Sequence, residues 1–272
     1  QLTRRQRQMC IRDSHYTLLF IIKLYARLIC YAIFYKVIIN MIFEQLFDTK
    51  SSTYTYILSS GKGREALIID PVLEHTDQYI NFLNKLELKL VKVIDTHIHA
   101  DHITGLNELS KRTSCTKIMG DNSKSEVVDL RVKEDENVKI DNINLKVMYT
   151  PGHTDCSYSY LMNDRVFTGD TLLINGTGRT DFQNGNARQQ YDSIFNKLLK
   201  LPENTMVYPA HDYNGKKHST IGSERKNNPR LQVNSVDQYV EIMNNLKLAN
   251  PKMMDVAVPA NLKGLTLNQV KA

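Results

Sequence analysis

The sequence predicts a layered α/β fold in which helices cover mixed β-sheets, and three observations support this prediction. From Met41 onward, short apolar runs rich in β-branched residues and tyrosine alternate with segments of helical periodicity. Some predicted strands follow one another in hairpin-like pairs while others are separated by a helix, which favours mixed sheets over a purely parallel sheet. A content of 42% apolar and 24% charged residues among 272 is typical of a globular chain and excludes a disordered or fibrous one.

The first predicted elements are a pair of strands, a helix and a third strand. Residues 53–58 and 66–69 are rich in apolar and β-branched side chains and predict two strands, joined by a glycine-containing turn at 61–63. Residues 75–88 carry apolar side chains at helical spacing and predict a helix. Residues 90–94 then predict a strand, so a helix separates two strands in the manner of a parallel crossover.

The remaining predicted elements repeat this mixture of strands and helices. Strands are predicted at residues 117–119, 145–149, 157–162, 166–168 and 206–208. Helices are predicted at residues 105–111, 187–199 and 236–246. No internal repeat is visible in this region, and residues 41–272 are therefore expected to form a single domain.

The basic charge of the chain is concentrated at one end. Residues 1–40 carry seven basic side chains and a single acid, Asp13, which accounts for the whole formal charge of +6. The rest of the chain is electrically balanced, and this removes the electrostatic basis for nucleic-acid binding. Because regular patterning begins only after Met41, residues 1–40 are expected to be a leader outside the fold, either non-native or disordered.

Two alternatives for this leader remain open. Its apolar stretch has the length of a membrane span, but Lys23, Arg27 and Lys36 interrupt it, which disfavours a membrane anchor. Its arginine content also fits a mitochondrial transit peptide. The four cysteines lack a Cys-x-x-Cys spacing and predict a reducing compartment without a disulfide framework. The cytoplasm is the expected location, and the mitochondrial matrix is the alternative.

The strongest functional signal is a histidine-rich segment just after the predicted strand at 90–94. It places four potential metal ligands within six residues: His97, His99, Asp101 and His102. In an extended segment alternate side chains share a face, so the first two histidines are expected to point the same way. A turn at the following Asp-His pair can present a second pair of ligands. The segment therefore allows two neighbouring metal positions.

Three further motifs place a histidine or an aspartate where an apolar run ends. These residues are His153, Asp170 and His211. Because strands deliver the side chains at their ends to a shared edge, the motifs are expected to converge with the histidine-rich segment. A set of imidazoles and carboxylates without a thiolate predicts a catalytic metal site rather than a structural zinc site. These ligand types suit one ferrous iron, and the full set would also hold two zinc ions.

The order of these motifs resembles the metallo-β-lactamase superfamily. The pattern is His-x-His-x-Asp-His, then Gly-His-Thr, then Thr-Gly-Asp and a late histidine. The resemblance implies a four-layered αββα sandwich of two mixed β-sheets flanked by helices, with the metal site at one edge between the sheets. Four segments resemble the persulfide dioxygenase branch of this superfamily in particular, and the likeness extends from Met41 to about Gly264. They are residues 167–173 followed by 176–183, residues 208–213, residues 228–231 and residues 258–261.

The resemblance implies an iron-dependent oxidoreductase. Members of this branch hold one ferrous iron and convert glutathione persulfide, dioxygen and water into sulfite and glutathione. By motif match, the iron ligands in this chain would be His97, His153 and Asp170. A homodimer is left open by the same resemblance. The remaining motif residues would surround the iron without binding a second metal and would orient its ligands or hydrogen-bond to bound water. They are His99, Asp101, His102, His211 and Tyr213.

Two residues near the motifs have alternative interpretations. Arg179 is expected to bind a carboxylate of glutathione, because a guanidinium offers bidentate geometry, and its alternative is an ion pair with Asp181. Tyr213 is either a phenol near the metal or a packed aromatic. Cys156 and Thr177 depart from the family pattern, which often has glycine and cysteine at these positions.

Two rival functions remain open. A glyoxalase II-like thioesterase would use two metals that share Asp170 to activate water against a glutathione thioester. The segment 179–183 and the short C-terminal region favour the dioxygenase over this hydrolase. A metal-binding module without catalysis would be expected to lack a ligand, and no ligand of the pattern is missing.

Overall fold

The structure, a computed structural model, describes residues 41–249, 253–265 and 269. The predicted leader at 1–40 lies outside the described residues, and its nature stays a prediction. Within the described part of the chain, no helix combines the length and the apolar character that a bilayer crossing requires.

The first sheet of the described region has six strands in sequence order. They are β1 (Ile42–Asp48), β2 (Thr53–Ser59), β3 (Glu65–Ile69), β4 (Lys89–Ile94), β5 (Thr116–Gly120) and β6 (Leu130–Val132). The first three strands pair antiparallel, whereas β3 to β6 pair in parallel, so the sheet is mixed. Ile69 lies opposite Ile94 in the parallel pair. The residues that follow β3 and β4 therefore leave the sheet side by side.

The second sheet of the described region also has six strands. Its spatial order is β12 (Ser219–Thr220), β11 (Met206–Pro209), β10 (Arg165–Gly169), β9 (Tyr158–Leu161), β8 (Ile143–Tyr149) and β7 (Asn137–Ile140). Only β10 and β11 run parallel, with Phe167 opposite Tyr208 and Gly169 opposite Pro209. The residues after these two strands therefore begin from neighbouring positions at one edge of the sheet.

Helices cover the outer faces of both sheets. Within the described residues they are α1 (Thr76–Lys85), α2 (Leu106–Thr113), α3 (Ala187–Asp192), α4 (Ile221–Asn227), α5 (Val236–Asn244) and α6 (Met254–Lys263). Tyr79 of α1 and Leu109 of α2 pack in the hydrophobic core of the first sheet. Tyr239 of α5 and Ile194, just after α3, pack in the core of the second. The αββα sandwich of two mixed sheets is therefore confirmed.

The helix predicted at 187–199 changes its pitch along its length. The α-helical turns of α3 end at Asp192, and the chain continues in a wider π-helical turn (Ser193–Lys197) and a tight 3-10 turn (Leu198–Lys200). The apolar periodicity is kept because Ile194 and Leu198 are fully buried against the second sheet. The predicted helical segment is confirmed, but it consists of three helical types instead of one continuous α-helix.

Aromatic side chains join the two sheets near the edge that carries the motifs. The rings of Tyr56 on β2 and Phe167 on β10 have centroids 5.0 Å apart, and those of Phe43 and Tyr208 are 4.9 Å apart. The Tyr56 hydroxyl donates a hydrogen bond of 2.6 Å to the carbonyl oxygen of Pro209 at the end of β11. This contact holds the strand end that leads to His211 against the opposite sheet.

Candidate metal centre

The motif residues meet where four strands end. The histidine-rich segment follows β4, His153 follows β8, Asp170 follows β10 directly, and His211 follows β11. The side chains of His97 and His211 are about 2% exposed, and those of His153 and Asp170 about a tenth. Rigid strands on two sheets thus bring residues more than 100 positions apart to one place.

His97, His153 and Asp170 form a compact group of potential ligands. Nε2 of His153 lies 3.5 Å from Oδ2 of Asp170, and Nε2 of His97 lies 4.0 Å from the same oxygen. One ligand atom from each residue lies within 4.8 Å of the other two. Atoms bound to one ion at about 2.1 Å lie roughly 3 to 3.5 Å apart, so small side-chain shifts suffice to close this group around a metal. The three residues therefore fit a metal ion.

Hydrogen bonds set the tautomers of both histidines. Nδ1 of His153 lies 2.7 Å from the carbonyl oxygen of Arg179, which can only accept, so this nitrogen carries the proton. Nδ1 of His97 lies 2.9 Å from Oγ1 of Thr96, whose own proton goes to Asp70 at 3.0 Å. His97 must therefore donate as well. Burial lowers the pKa of His97 well below its usual value, so Nε2 of His97 keeps a lone pair for a metal. Nε2 of His153 is the ring nitrogen that faces Asp170.

Asp70 is a buried anchor of the histidine-rich segment that the sequence reasoning missed. Its carboxylate accepts hydrogen bonds from the backbone N–H and the hydroxyl of Thr96, at 2.7 and 3.0 Å, and lies 3.2 Å from Nε2 of His99. It follows β3 directly, in the same strand-end position as the other site residues. That position was the signal that could have identified it.

His211 bridges two carboxylates. Its Nδ1 lies 2.7 Å from Oδ1 of Asp170, and its Nε2 lies 2.9 Å from Oδ2 of Asp101. Burial alone would lower the pKa of His211, but these two carboxylates raise it well above the usual value. Burial alone would also raise the pKa of Asp170, and His211 instead holds it below the usual range. The imidazolium and both carboxylates are therefore charged together.

His97 and His99 lie side by side, with ring centroids 4.3 Å apart, but they belong to different groups of potential ligands. His99 groups with Asp101 and His102, each offering one ligand atom within 4.8 Å of the others. Asp101 is already hydrogen-bonded, because its Oδ2 lies 2.8 Å from Nδ1 of His102. Nδ1 of His99 and Nε2 of His102 are buried without a hydrogen-bond partner among the described residues. The segment bends instead of running as a strand, yet the rings of His97 and His99 stay neighbours.

A cleft of about 810 Å³ opens beside this group and has a size typical of a small-molecule site. Arg179 lies in its wall, with Nε and Nη2 bonded to the Asp181 carboxylate at 2.7 and 2.8 Å and Nη1 bonded to the Ala249 carbonyl oxygen at 2.7 Å. Its guanidinium also stacks on the Phe182 ring, 4.2 Å from the centroid. Tyr213 is exposed at the mouth, and its ring lies parallel to that of His211 at 6.1 Å.

A second arginine in the cleft wall was not assigned from the sequence. Nη1 of Arg230 donates to the carbonyl oxygen and the hydroxyl of Thr177. Among the described residues no carboxylate lies within the 4.0 Å of an ion pair with Arg230. The signal was its place in the segment 228–231, which resembles the family. Thr177, which stands where the family often has cysteine, thus accepts hydrogen bonds from an arginine of the cleft. Cys156, which stands where the family often has glycine, packs in the hydrophobic core, and its backbone φ is not positive.

Comparisons with known proteins agree with this geometry. The family model of the metallo-beta-lactamase superfamily matches residues 48–139 and 124–211. A mouse protein named persulfide dioxygenase ETHE1, mitochondrial, is 42% identical over 226 residues, which cover 82% of this chain and 88% of that protein. A hydroxyacylglutathione hydrolase of Dictyostelium discoideum is 32% identical over 210 residues, which cover 72% of this chain and 74% of that protein.

A solved structure is similar over the same region. The crystal structure of ETHE1 from Myxococcus xanthus superposes with a TM-score of 0.80 and 48% sequence identity, covering 82% of this chain and 98% of that one. Sequence, fold and the arrangement of the strand-end residues lead to one assignment. The chain belongs to the metallo-β-lactamase superfamily and, within it, to the persulfide dioxygenase branch.

Proposed function

We propose that the chain is an iron-dependent persulfide dioxygenase that converts glutathione persulfide, dioxygen and water into sulfite and glutathione. The observation that carries the proposal is the group formed by His97, His153 and Asp170. In this group two Nε2 atoms and one carboxylate oxygen face one another beside an open cleft. Two histidines and one carboxylate are the ligand set of non-haem ferrous oxygenases. The similarity to the persulfide dioxygenase of the mouse supports the substrate class.

The protein residues hold the ligand set in its binding form. When bound, ferrous iron supplies the redox chemistry and coordination positions for sulfur and oxygen. Burial keeps His97 neutral, and the carbonyl oxygen of Arg179 keeps the proton of His153 on Nδ1. His211 keeps Asp170 ionised through its Nδ1 hydrogen bond. The chain thus offers a neutral imidazole at His97, the Nε2 atom of His153 and an ionised carboxylate at Asp170.

The hydrogen bonds of Asp170 and His211 support one metal rather than two. Oδ1 of Asp170 accepts from His211, and Oδ2 faces His97 and His153, so only one oxygen is directed at a metal. His211 uses both ring nitrogens on Asp170 and Asp101. A centre with two metals would need a ring nitrogen of His211 as a ligand, and this would displace one of these hydrogen bonds.

The cleft also supports a substrate with carboxylates, and glutathione has two. Arg179 keeps guanidinium N–H groups that its bonds to Asp181 and Ala249 do not use, since a guanidinium has five donors. Arg230 lines the same cleft without an ion-pair partner among the described residues. Both arginines are therefore assigned to carboxylate recognition. Phe182 and Tyr213 supply apolar wall area.

Oxygen uptake tests this function directly. Purified protein with its iron is mixed with glutathione persulfide in an oxygen electrode, and sulfite is measured in the same sample. The proposal expects oxygen uptake and sulfite in equal amounts, with none from an Asp170→Ala variant. Hydrolysis of S-lactoylglutathione without oxygen uptake would overturn it.

A glyoxalase II-like thioesterase is the second candidate, and two buried atoms favour it. Nδ1 of His99 and Nε2 of His102 lack partners among the described residues, as ligands of a second ion would. The similarity to a hydroxyacylglutathione hydrolase at 32% identity supports the same alternative. The hydrogen bonding of His211 and the higher identity to the persulfide dioxygenase, 42%, favour the first candidate.

The compartment and the oligomeric state remain proposals. Cytoplasm is the expectation from the cysteine usage, and the word mitochondrial in the name of the mouse relative supports the matrix as the alternative. Fractionation of source cells followed by detection of the chain would decide between them. A homodimer is tested by light scattering of the purified protein.

A further inference from the structure

We infer that Asn261 on α6 is a positioning residue for the metal centre, because its carboxamide holds the histidine-rich segment in its bent conformation. The side chain of Asn261 comes from the C-terminal helix, about 160 residues beyond the segment that it contacts. The inference rests on the proposed metal site of His97, His153 and Asp170. It adds an element outside the motifs that the proposed function uses.

The carboxamide of Asn261 makes three hydrogen bonds to one short stretch of backbone. Its Nδ2 donates to the carbonyl oxygens of His99 and His102, both at 2.9 Å. Its Oδ1 accepts from the backbone N–H of Thr104, also at 2.9 Å. The residue is 3% exposed, so water does not compete for these groups. A buried carbonyl that loses its donor carries a large desolvation penalty, and the backbone would be expected to move.

Asn261 bonds the part of the segment around Asp101, while Asp70 and Gln183 bond the segment at Thr96 and Ile98. Residues 95–103 belong to no strand or helix, so they lack the regular hydrogen bonds of a sheet ladder. Among the described residues, Asn261 is the partner that the structure assigns to the carbonyl oxygens of His99 and His102. These two residues enclose Asp101. The carboxamide therefore helps to fix the backbone position from which the Asp101 side chain extends.

Two routes lead from this contact to the proposed ligands. His97 lies two residues before the bonded carbonyl group of His99 in the same bent segment. Asp101 contacts Nε2 of His211 at 2.9 Å, and Nδ1 of His211 contacts Asp170 at 2.7 Å. A shift of the bend would therefore displace His97 directly and Asp170 through Asp101 and His211.

The docking of α6 does not rest on Asn261 alone. Ala257 and Ala260 of α6 pack in an apolar cluster with Leu73 and Ile103. The carbonyl oxygen of Leu262 accepts from the backbone of Glu126 at 2.8 Å, and the Gly264 carbonyl oxygen accepts from the side chain of Asn107 at 2.5 Å. The helix can therefore stay in place when the carboxamide is changed. An effect on the histidine-rich segment can thus be told apart from a loss of helix docking.

Three variants and one control test the inference on the iron-loaded full chain. Asn261→Asp keeps the shape but loses the amide donors, Asn261→Ala loses all three bonds, and Asn261→Ser keeps one donor. Asn107→Ala removes a comparable contact of the C-terminal segment without touching the histidine-rich segment. The measurement is the rate at which a chelator removes iron, followed by absorbance, together with the thermal unfolding midpoint.

We expect iron loss to be about 10-fold faster in Asn261→Asp and Asn261→Ala, intermediate in Asn261→Ser, and within about twofold of wild type in Asn107→Ala. Wild-type rates in the Asn261→Asp and Asn261→Ser variants would overturn the inference, and so would equal acceleration in Asn107→Ala. If Asn261→Ala does not fold, the Asp and Ser variants still decide the question. A wild-type chain that binds no iron would contradict the proposed function instead.

Discussion

At the scale of single residues, Asp170 and His211 touch each other but have different functions in this account. Asp170 supplies a ligand oxygen, whereas His211 holds that carboxylate by a 2.7 Å hydrogen bond. We therefore expect Asp170→Ala to abolish iron retention and oxygen uptake together. We expect His211→Ala to keep most of its iron while its activity falls about 10-fold or more.

Elemental analysis and oxygen uptake on the same preparations check this difference. Asp135→Ala serves as the control, because Asp135 pairs with Lys146 on the surface, away from the cleft. Equal loss of iron in the Asp170 and His211 variants would contradict a centre with one metal.

Gly178 leaves room for the proposed ligand His153. A Cβ atom at this position would lie 2.2 Å from the carbonyl oxygen of Asp170 and 2.8 Å from Nδ1 of His153. Both contacts are shorter than van der Waals separation, so Gly178→Ala is expected to displace the His153 ring and to lower the iron content. Gly176→Ala is the matched control, since its Cβ would meet only Leu173 at 3.9 Å. Iron contents that are equal in the two variants would refute this explanation.

At the scale of elements, the packing of the two sheets depends on a buried tyrosine. Tyr56 on β2 is 1% exposed and donates to the carbonyl oxygen of Pro209 on β11. Tyr56→Phe leaves this oxygen without its donor and is expected to destabilise the fold by about 1 kcal/mol. For a domain of this size that corresponds to a drop of roughly 2 to 4 °C in Tm.

Thermal unfolding monitored by circular dichroism measures this drop. Tyr191→Phe is the control, since its hydroxyl makes no hydrogen bond among the described residues, and it should unfold at the wild-type temperature. An unchanged Tm for Tyr56→Phe would show that the sheets are held by ring packing alone.

Several elements with strong patterns were predicted from the sequence, whereas the seven-residue strand Ile42–Asp48 and several short or irregular elements were missed. The strand Thr53–Ser59 and the helix Thr76–Lys85 carry uninterrupted apolar patterns and were confirmed with small changes at their ends. The helix Met254–Lys263 was missed because Pro259 lies inside it, which ordinarily argues against a helix. The strands Leu130–Val132 and Ser219–Thr220 are too short to show a period, and pairing with neighbours stabilises them.

The residues of the candidate site were also predicted only in part. The family resemblance predicted His97, His153 and Asp170 as ligands, and each of them lies shortly after a strand. Asn261 lies in the segment 258–261, which resembles the family, but its contacts could not be predicted, because they join residues about 160 positions apart and depend on how a helix docks. The detailed hydrogen bonding of Arg179 could not be read from the sequence either, although the pairing with Asp181 had been stated as an alternative.

At the scale of the whole molecule, the carboxylate of Asp48 makes the free energy of unfolding depend on pH. Burial alone would raise the pKa of Asp48, but hydrogen bonds from Ser51 and His75 lower it to about 2. The ordinary value is 3.8, so the unfolded chain binds this proton more readily. The carboxylate therefore contributes about 2 kcal/mol of stability above pH 4, which is lost as the pH falls from about 4 towards 2.

Urea unfolding of wild type and Asp48→Asn at pH 7, 4 and 3 tests this dependence. The difference in unfolding free energy between the two proteins should be largest at pH 7 and fall to about half at pH 3. A difference that does not change with pH would show that Asp48 acts through shape and neutral hydrogen bonds, and would contradict the assigned direction of its pKa shift.

The central claim is that one ferrous iron is held by His97, His153 and Asp170. The most direct test is the metal content of the purified full chain, measured by mass spectrometry of the elements against protein concentration. The account predicts about one iron per chain and little zinc. Two zinc ions per chain would contradict it and would favour the thioesterase.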